Sequence, residues 1–220
     1  MPTQRRVAFV TVAFVSTPRF RGTCAGISLG VLSLLQGLFV PQSAAANPPA
    51  AVAAISGHFV LAAPDGRKVT DANYRGKWLV VYFGYTSCPD VCPTVILRIG
   101  QALESLGARA DRIQPIFITV DPLRDTPERL AHYMASFNPR VVGLRGDAQE
   151  TREAARQFHV YYRTRDFGNG EYSVDHSSFL YVINPEGRFA KLLPDTLSAD
   201  QLASELTTLT RREQARAVSR

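Results

Sequence analysis

The chain has 220 residues, 45% of them hydrophobic and 20% charged, the make-up of one well-filled globular domain with some extra length. Its net charge of +6 sits at the ends: residues 1–46 carry Arg5, Arg6, Arg19 and Arg21 with no acid, and the tail from Arg211 carries four arginines against Glu213. The body between them holds 17 basic and 18 acidic residues, which excludes a basic groove for nucleic acid, and three cysteines are too few for a disulfide scaffold.

The first 46 residues read as a targeting segment. Arginines precede the uncharged run "CAGISLGVLSLLQGLFV" (24–40), and Ala44-Ala45-Ala46 supplies the small residues of a cleavage site. The run has 17 residues, at the lower edge of a membrane span, so a cleaved signal and a retained anchor are both open. Either way the body is expected to be exported, in a bacterium to the periplasm, soluble after cleavage or anchored by residues 24–40. Membrane contact is expected only through that segment. Residues 47–56, with "NPPAAVAA", read as a linker; 57–210 is the domain and 211–220 a basic tail.

"HFVLAAPDGRKVT" is two short extended runs around Asp65-Gly66, a hairpin signal. "WLVVYFGY" (78–85) is a continuous apolar run, the mark of a strand buried on both faces. Pro93 is expected at the first position of a helix with apolar residues at Val95, Ile96, Ile99, Ala102, Leu103 and Leu106, closed by Gly107. "IQPIFITV" (113–120) is the next buried strand. Thr126-Pro127-Glu128 opens a helix to about residue 137, "VVGLRG" is a short strand, and Asp147 caps a helix to about residue 159. Residues 163–171 read as a loop. "EYSVDHSSFLYVI" (171–183) and "RFAKLL" are two strands, and Ser198-x-x-Gln201 is a capping box for a last helix ending near residue 210. This order predicts an α/β protein of thioredoxin-like fold: a mixed sheet flanked by helices, with an N-terminal β-hairpin.

Two cysteines, Cys88 and Cys92, fall where the first buried strand meets its helix, the strand edge at which sites form in open α/β sheets. Cys92 is expected at or beside the helix N-cap and Cys88 in the loop before it, where backbone N–H groups favour a thiolate. Three residues between them permit a disulfide, but also let both sulfurs face one ion, and soft thiolates select Cu(I) or zinc. A structural disulfide, a redox couple and a metal site all remain open on residue chemistry alone.

His58, His132 and His159 read as surface or packing residues. His176, in "YSVDHSS" where the penultimate strand turns from polar to apolar toward its start, is the histidine placed to reach the cysteines. Asp175 beside it is a candidate partner for the imidazole, although adjacent strand side chains point apart. Asp121, Arg124 and Asp125, in "VDPLRDTPE", follow a buried strand at the same sheet edge. They read as groups that set the loop and cap the next helix, and as candidates to support the site.

Together "VVYFGYTSCPDVCPT", "IFITVDPLRDTPERLAHYMASF", "VVGLRGD" and "YSVDHSSFLYVINPEGRF" resemble the SCO/SenC family of copper-handling proteins, in the expected order over about residues 55–210. The resemblance implies a thioredoxin-like fold and one copper ion, Cu(I) or Cu(II), bound by Cys88, Cys92 and His176, with Cys88 and Cys92 joined as a disulfide when oxidised. It implies a metallochaperone rather than an enzyme. Such a protein would take copper from a donor protein and serve the copper centre of cytochrome c oxidase subunit II, by delivering copper, reducing the partner's cysteines, or both. The alternative is a thiol-disulfide oxidoreductase that carries no metal. Ser87 stands where many family members carry histidine, so it supplies no ligand.

Overall fold

In the computed structural model, which describes residues 55–218, the elements run in chain order as follows. Strands β1 (Val60–Ala62) and β2 (Lys68–Thr70) form the hairpin, and β3 (Trp78–Gly84) leads into α1 (Val91–Leu106). Then come β4 (Ile113–Thr119), α2 (Pro127–Met134), β5 (Val142–Leu144) and α3 (Ala148–Gln157). A second hairpin, β6 (Tyr162–Gly168) and β7 (Glu171–His176), precedes β8 (Phe179–Ile183), β9 (Phe189–Pro194) and α4 (Ala199–Val218). The expected apolar run 24–40, cleavage site, Cys24 and most of the linker lie outside the described residues. Among the described residues, no helix is long and apolar enough to cross a membrane.

Five strands form the central sheet in the order β5-β4-β3-β8-β9. Neighbours β3 and β4 run parallel, as do β4 and β5, while β8 runs antiparallel to both β3 and β9. The predicted mixed sheet with an N-terminal hairpin is therefore observed. All seven residues of β3 are buried, as its unbroken apolar run requires. Full burial of Phe83, Phe117 and Phe158 contributes about 1.5–3 kcal/mol each by removal from water. The apolar stripe of α1 is buried at Val95, Ile96, Ile99, Ala102, Leu103 and Leu106, and α1 packs beside α4.

Local cap chemistry is observed as read. Thr126 Oγ1 accepts from Arg129 N, Asp147 from the N–H groups of Gln149 and Glu150, and Ser198 and Gln201 bond reciprocally.

Three expectations change. The first helix starts at Val91 with Asp90 as N-cap, so Cys92 is the second helical residue and Pro93 the third. Proline fits there because the first four N–H groups of a helix have no intrahelical acceptor. The last helix continues past residue 210 to Val218. Most important for the site, residues 163–171 are not a loop and 171–183 is not one strand. β6 and β7 pair as an antiparallel hairpin whose turn, Gly168-Asn169-Gly170, has φ of 84°, 56° and 79°. The chain then breaks at Ser177-Ser178, where Tyr161 N donates to Ser177 Oγ and Ser177 N to Tyr161 O. β6 carries Arg163, Arg165 and Asp166 and is exposed on both faces, so it lacks the alternating apolar pattern that marks a strand.

Candidate metal centre

Parallel pairing brings the C-terminal ends of β3 and β4 to one edge, and antiparallel β8 brings its start to the same edge, Leu180 opposite Tyr82. The cysteine loop follows β3, the aspartate loop follows β4, and His176 lies just before β8. Residues from three distant stretches thus meet by topology.

The two cysteines are unequal. Cys92 is fully buried in the first turn of α1, while Cys88 is half-buried in the loop. Cys92 N donates to Cys88 Sγ at 3.5 Å, so the Cys88 sulfur acts as an acceptor for a free helix-end N–H. The Cys92 thiol also donates to it, and with the N–H groups of Asp90 and Val91 this pulls the Cys88 pKa down to about 5 against the opposing effect of burial. The same shared proton and its burial push the Cys92 thiol far up. Cys88 is the thiolate of the pair and Cys92 the thiol.

His176 Nε2 lies 3.8 Å from Cys92 Sγ. Its Nδ1 is 3.0 Å from the Ser177 carbonyl, an acceptor only, so Nδ1 carries the proton of the neutral ring and Nε2 presents a lone pair. Tyr82 and Tyr85 hold the imidazole edge-on, with centroids 6.3 and 6.1 Å away. Tyr82 Oη donates to Cys92 Sγ at 3.8 Å and lies 3.3 Å from Ser178 Oγ, which donates to Asp195 at 2.5 Å. Burial raises the Tyr82 phenol well above its usual range, keeping it a donor.

The donor set can be tested against a soft ion. A thiolate bond of about 2.3 Å and an imidazole bond of about 2.0 Å, values for the d10 ion zinc, meet at ~120° with an S···N edge of about 3.7 Å. The observed 3.8 Å fits that edge. Among the described residues no three His, Cys, Asp or Glu side chains are gathered closely enough to hold an ion as they stand. A three-ligand site therefore needs Cys88 Sγ to turn toward the other two, and that side chain is half-buried rather than enclosed.

The aspartates have different places. Asp125, fully buried, accepts from Thr86 N at 3.0 Å, Thr86 Oγ1 at 2.6 Å and Thr119 Oγ1 at 2.5 Å, tying the cysteine loop to β4. Asp121 is buried against Arg124 and Tyr172. Asp175 instead points outward to Arg165, 3.3 Å away, on the far side of β7 from the imidazole. His58 lies beside Asp71, and His132 and His159 are exposed.

Sequence reasoning missed three contributors. Arg129 donates to Thr86 Oγ1 and Ser87 Oγ at 2.9 Å each, clamping the loop from α2. Tyr82 looked only like core. Gly84 leaves room for the sulfur: a Cβ there would lie 2.9 Å from Cys92 Sγ and 2.8 Å from Phe117 Cε2. A glycine ending an otherwise bulky buried strand was the available signal.

Known proteins resemble this chain in sequence and fold. The family model described as SCO1/SenC matches residues 47–211. Protein SCO1 homolog 1, mitochondrial, of Arabidopsis thaliana is 38% identical over 157 residues, 71% of this chain and 47% of the relative. The human Protein SCO1 homolog, mitochondrial, is 36% identical over 157 residues, 70% of this chain and 52% of the relative. The chain thus spans about half the length of these relatives. The solved structure of Bradyrhizobium japonicum ScoI with copper bound superposes with a TM-score of 0.66 at 37% identity, covering 70% of this chain and 99% of that one. The thioredoxin-like fold is borne out by this match. The expected bacterial periplasm is not: these two curated relatives are mitochondrial proteins by name. An arginine-bearing, acid-free leader is also the composition of a mitochondrial transit peptide, so composition could not separate the two destinations.

Proposed function

Because this chain belongs to the SCO1/SenC family, we propose that it is a copper metallochaperone that holds one copper ion through Cys88, Cys92 and His176. The observation that carries this reading is the 3.8 Å approach of His176 Nε2 to Cys92 Sγ, with Nδ1 already committed to the Ser177 carbonyl. Two thiolates and one imidazole suit Cu(I), and accommodate Cu(II) with a further oxygen ligand. Copper is the cargo. Cys88 enters as a thiolate, Cys92 gives up its proton, and the neutral imidazole contributes its lone pair. Protons compete for all three, so affinity falls with falling pH.

The recipient proposed is the copper centre of cytochrome c oxidase subunit II or a similar protein, and the source a copper donor protein. Cys88 is the more accessible sulfur, so exchange with a partner's cysteine begins there.

The unequal cysteines favour a second reading, reduction of a partner disulfide. The Cys88 thiolate attacks one partner sulfur, forming a mixed disulfide and releasing a partner thiolate. Cys92, after losing its proton, attacks Cys88 Sγ and releases the second. The partner gains two electrons, with one proton from Cys92 and one from water, and this chain keeps a Cys88–Cys92 disulfide.

The test is anaerobic Cu(I) titration of the reduced chain, followed by incubation with an apo copper-centre domain scored for metal and for free thiols. One equivalent is expected to bind. His176→Ala is expected to weaken binding greatly with the fold intact, and Cys88→Ser or Cys92→Ser each to abolish it. Wild-type affinity in His176→Ala, or metal retained by either serine variant, overturns the three-ligand reading. Thiols appearing in the domain without metal transfer favours reduction.

A further inference from the structure

The central sheet brings His176 to this edge through β8, but among the described residues β7 itself takes its ladder only from β6, so no strand of the central sheet holds the body of β7. The two-residue period of a strand puts Tyr172, Val174 and His176 on one face and Asp175 on the other. Val174 is buried and Asp175 turns outward to Arg165, so the Tyr172 face is the inner one.

One guanidinium seats that face. Arg124 Nε meets Asp121 Oδ2 at 2.5 Å, and Arg124 Nη1 donates to the Tyr172 carbonyl at 2.7 Å. The guanidinium lies over the Tyr172 ring, 3.7 Å from its centroid, and Tyr172 Oη donates to Asp121 Oδ1 at 2.8 Å. Arg124 also lies 5.7 Å from the centroid of Tyr85, the ring whose plane stands at 87° to the His176 imidazole. The contacts form one chain from the loop after β4, through Tyr172 near the start of β7 and the Tyr85 ring, to the imidazole.

We propose that Arg124 is a positioning residue for His176: through Asp121, the Tyr172 backbone and the two tyrosine rings, it holds the β6–β7 hairpin where Nε2 reaches Cys92 Sγ. Only a planar cation with separate donors can serve Asp121, the Tyr172 carbonyl and a ring face together; lysine offers a point charge on a flexible stem. Arg124 Nη2 is buried without a hydrogen-bond partner, which places the group's recognition in Nε, Nη1 and its flat face. The consequence for metal affinity rests on the copper reading; the positioning itself does not.

The experiment uses Arg124→Met in the reduced full chain. Amide hydrogen exchange in β6 and β7 is expected to quicken about tenfold or more while β3 and β4 stay unchanged, the mark of a local opening. The imidazole proton resonances of His176, displaced in the wild type by the rings of Tyr82 and Tyr85, are expected to move toward those of free histidine. Cu(I) affinity, measured by chelator competition, is expected to fall about 10–100-fold. That fall should vanish in a His176→Ala background.

Unchanged exchange and imidazole resonances overturn the proposal, as does an equal affinity loss in the His176→Ala background. A wild type that takes up no Cu(I) overturns the copper reading alone, and exchange with the imidazole resonances then decides the positioning. Should Arg124→Met not fold, Tyr172→Phe removes only the hydroxyl bond to Asp121. The same changes in smaller measure support the proposal, and none at all overturns it.

Discussion

Cys92 N donates to Cys88 Sγ at 3.5 Å, so the second cysteine of the pair supplies a backbone donor to the first. With the Cys92 thiol and the N–H groups of Asp90 and Val91, this makes Cys88 an anion at neutral pH. Alkylation of Cys88 is accordingly expected to titrate with an apparent pKa of about 5, against about 8.5 for a free cysteine. Cys92→Ala, which removes the strongest donor, is expected to raise it. Because the folded pKa lies below the unfolded one, the ionised thiol's contribution to stability is full above about pH 8.5 and is lost as pH falls through about 5. A rate profile rising only near pH 8.5 would contradict the unequal pair.

Gly84→Ala sets a methyl 2.9 Å from Cys92 Sγ and 2.8 Å from Phe117 Cε2, both on buried side chains. Overpacking of this kind costs about 1–3 kcal/mol. Urea denaturation is expected to show that loss, and Cu(I) affinity should fall with it because the sulfur must shift. A variant as stable as wild type would show that the sulfur has room to spare.

Asp125→Ala leaves Thr86 N, Thr86 Oγ1 and Thr119 Oγ1 without their shared acceptor in a buried site. The expected destabilisation is about 2–3 kcal/mol, since bonds to a charged group contribute about 1.5–3 kcal/mol and stranded donors add to it. Thr86 is two residues from Cys88, so alkylation of Cys88 should change as well. Equal stability in denaturant would remove Asp125 from the support of the cysteine loop.

Asp175 adjoins His176 in sequence, yet its carboxylate faces Arg165 in a half-exposed pair. Exposed pairs contribute about 0–1 kcal/mol. Asp175→Asn is expected to leave stability within about 0.5 kcal/mol and Cu(I) affinity within about twofold. A tenfold loss of affinity would mean that the carboxylate acts on the imidazole after all.

The strands β3 and β4 and the helix α1 were legible because burial on both faces, or on one stripe, is written as apolar periodicity. The caps at Thr126, Asp147 and Ser198 were legible because each is satisfied within three residues of itself. The cysteine pair was legible as chemistry, but its spacing left a disulfide, a redox couple and a metal site open, and His176 was singled out by its strand position and by the family pattern.

Tertiary structure alone decided the rest. It showed that 163–171 is half of a hairpin, because an exposed, charged strand gains its order from pairing rather than from apolar burial. It turned Asp175 outward and set Tyr172 against Arg124 and Asp121, 48 and 51 positions away, contacts that no local pattern encodes. By itself the sequence determined which residues have metal and thiol chemistry. Chain topology determined which of them meet, because one parallel and one antiparallel neighbour of β3 deliver three separate loops to the same sheet edge.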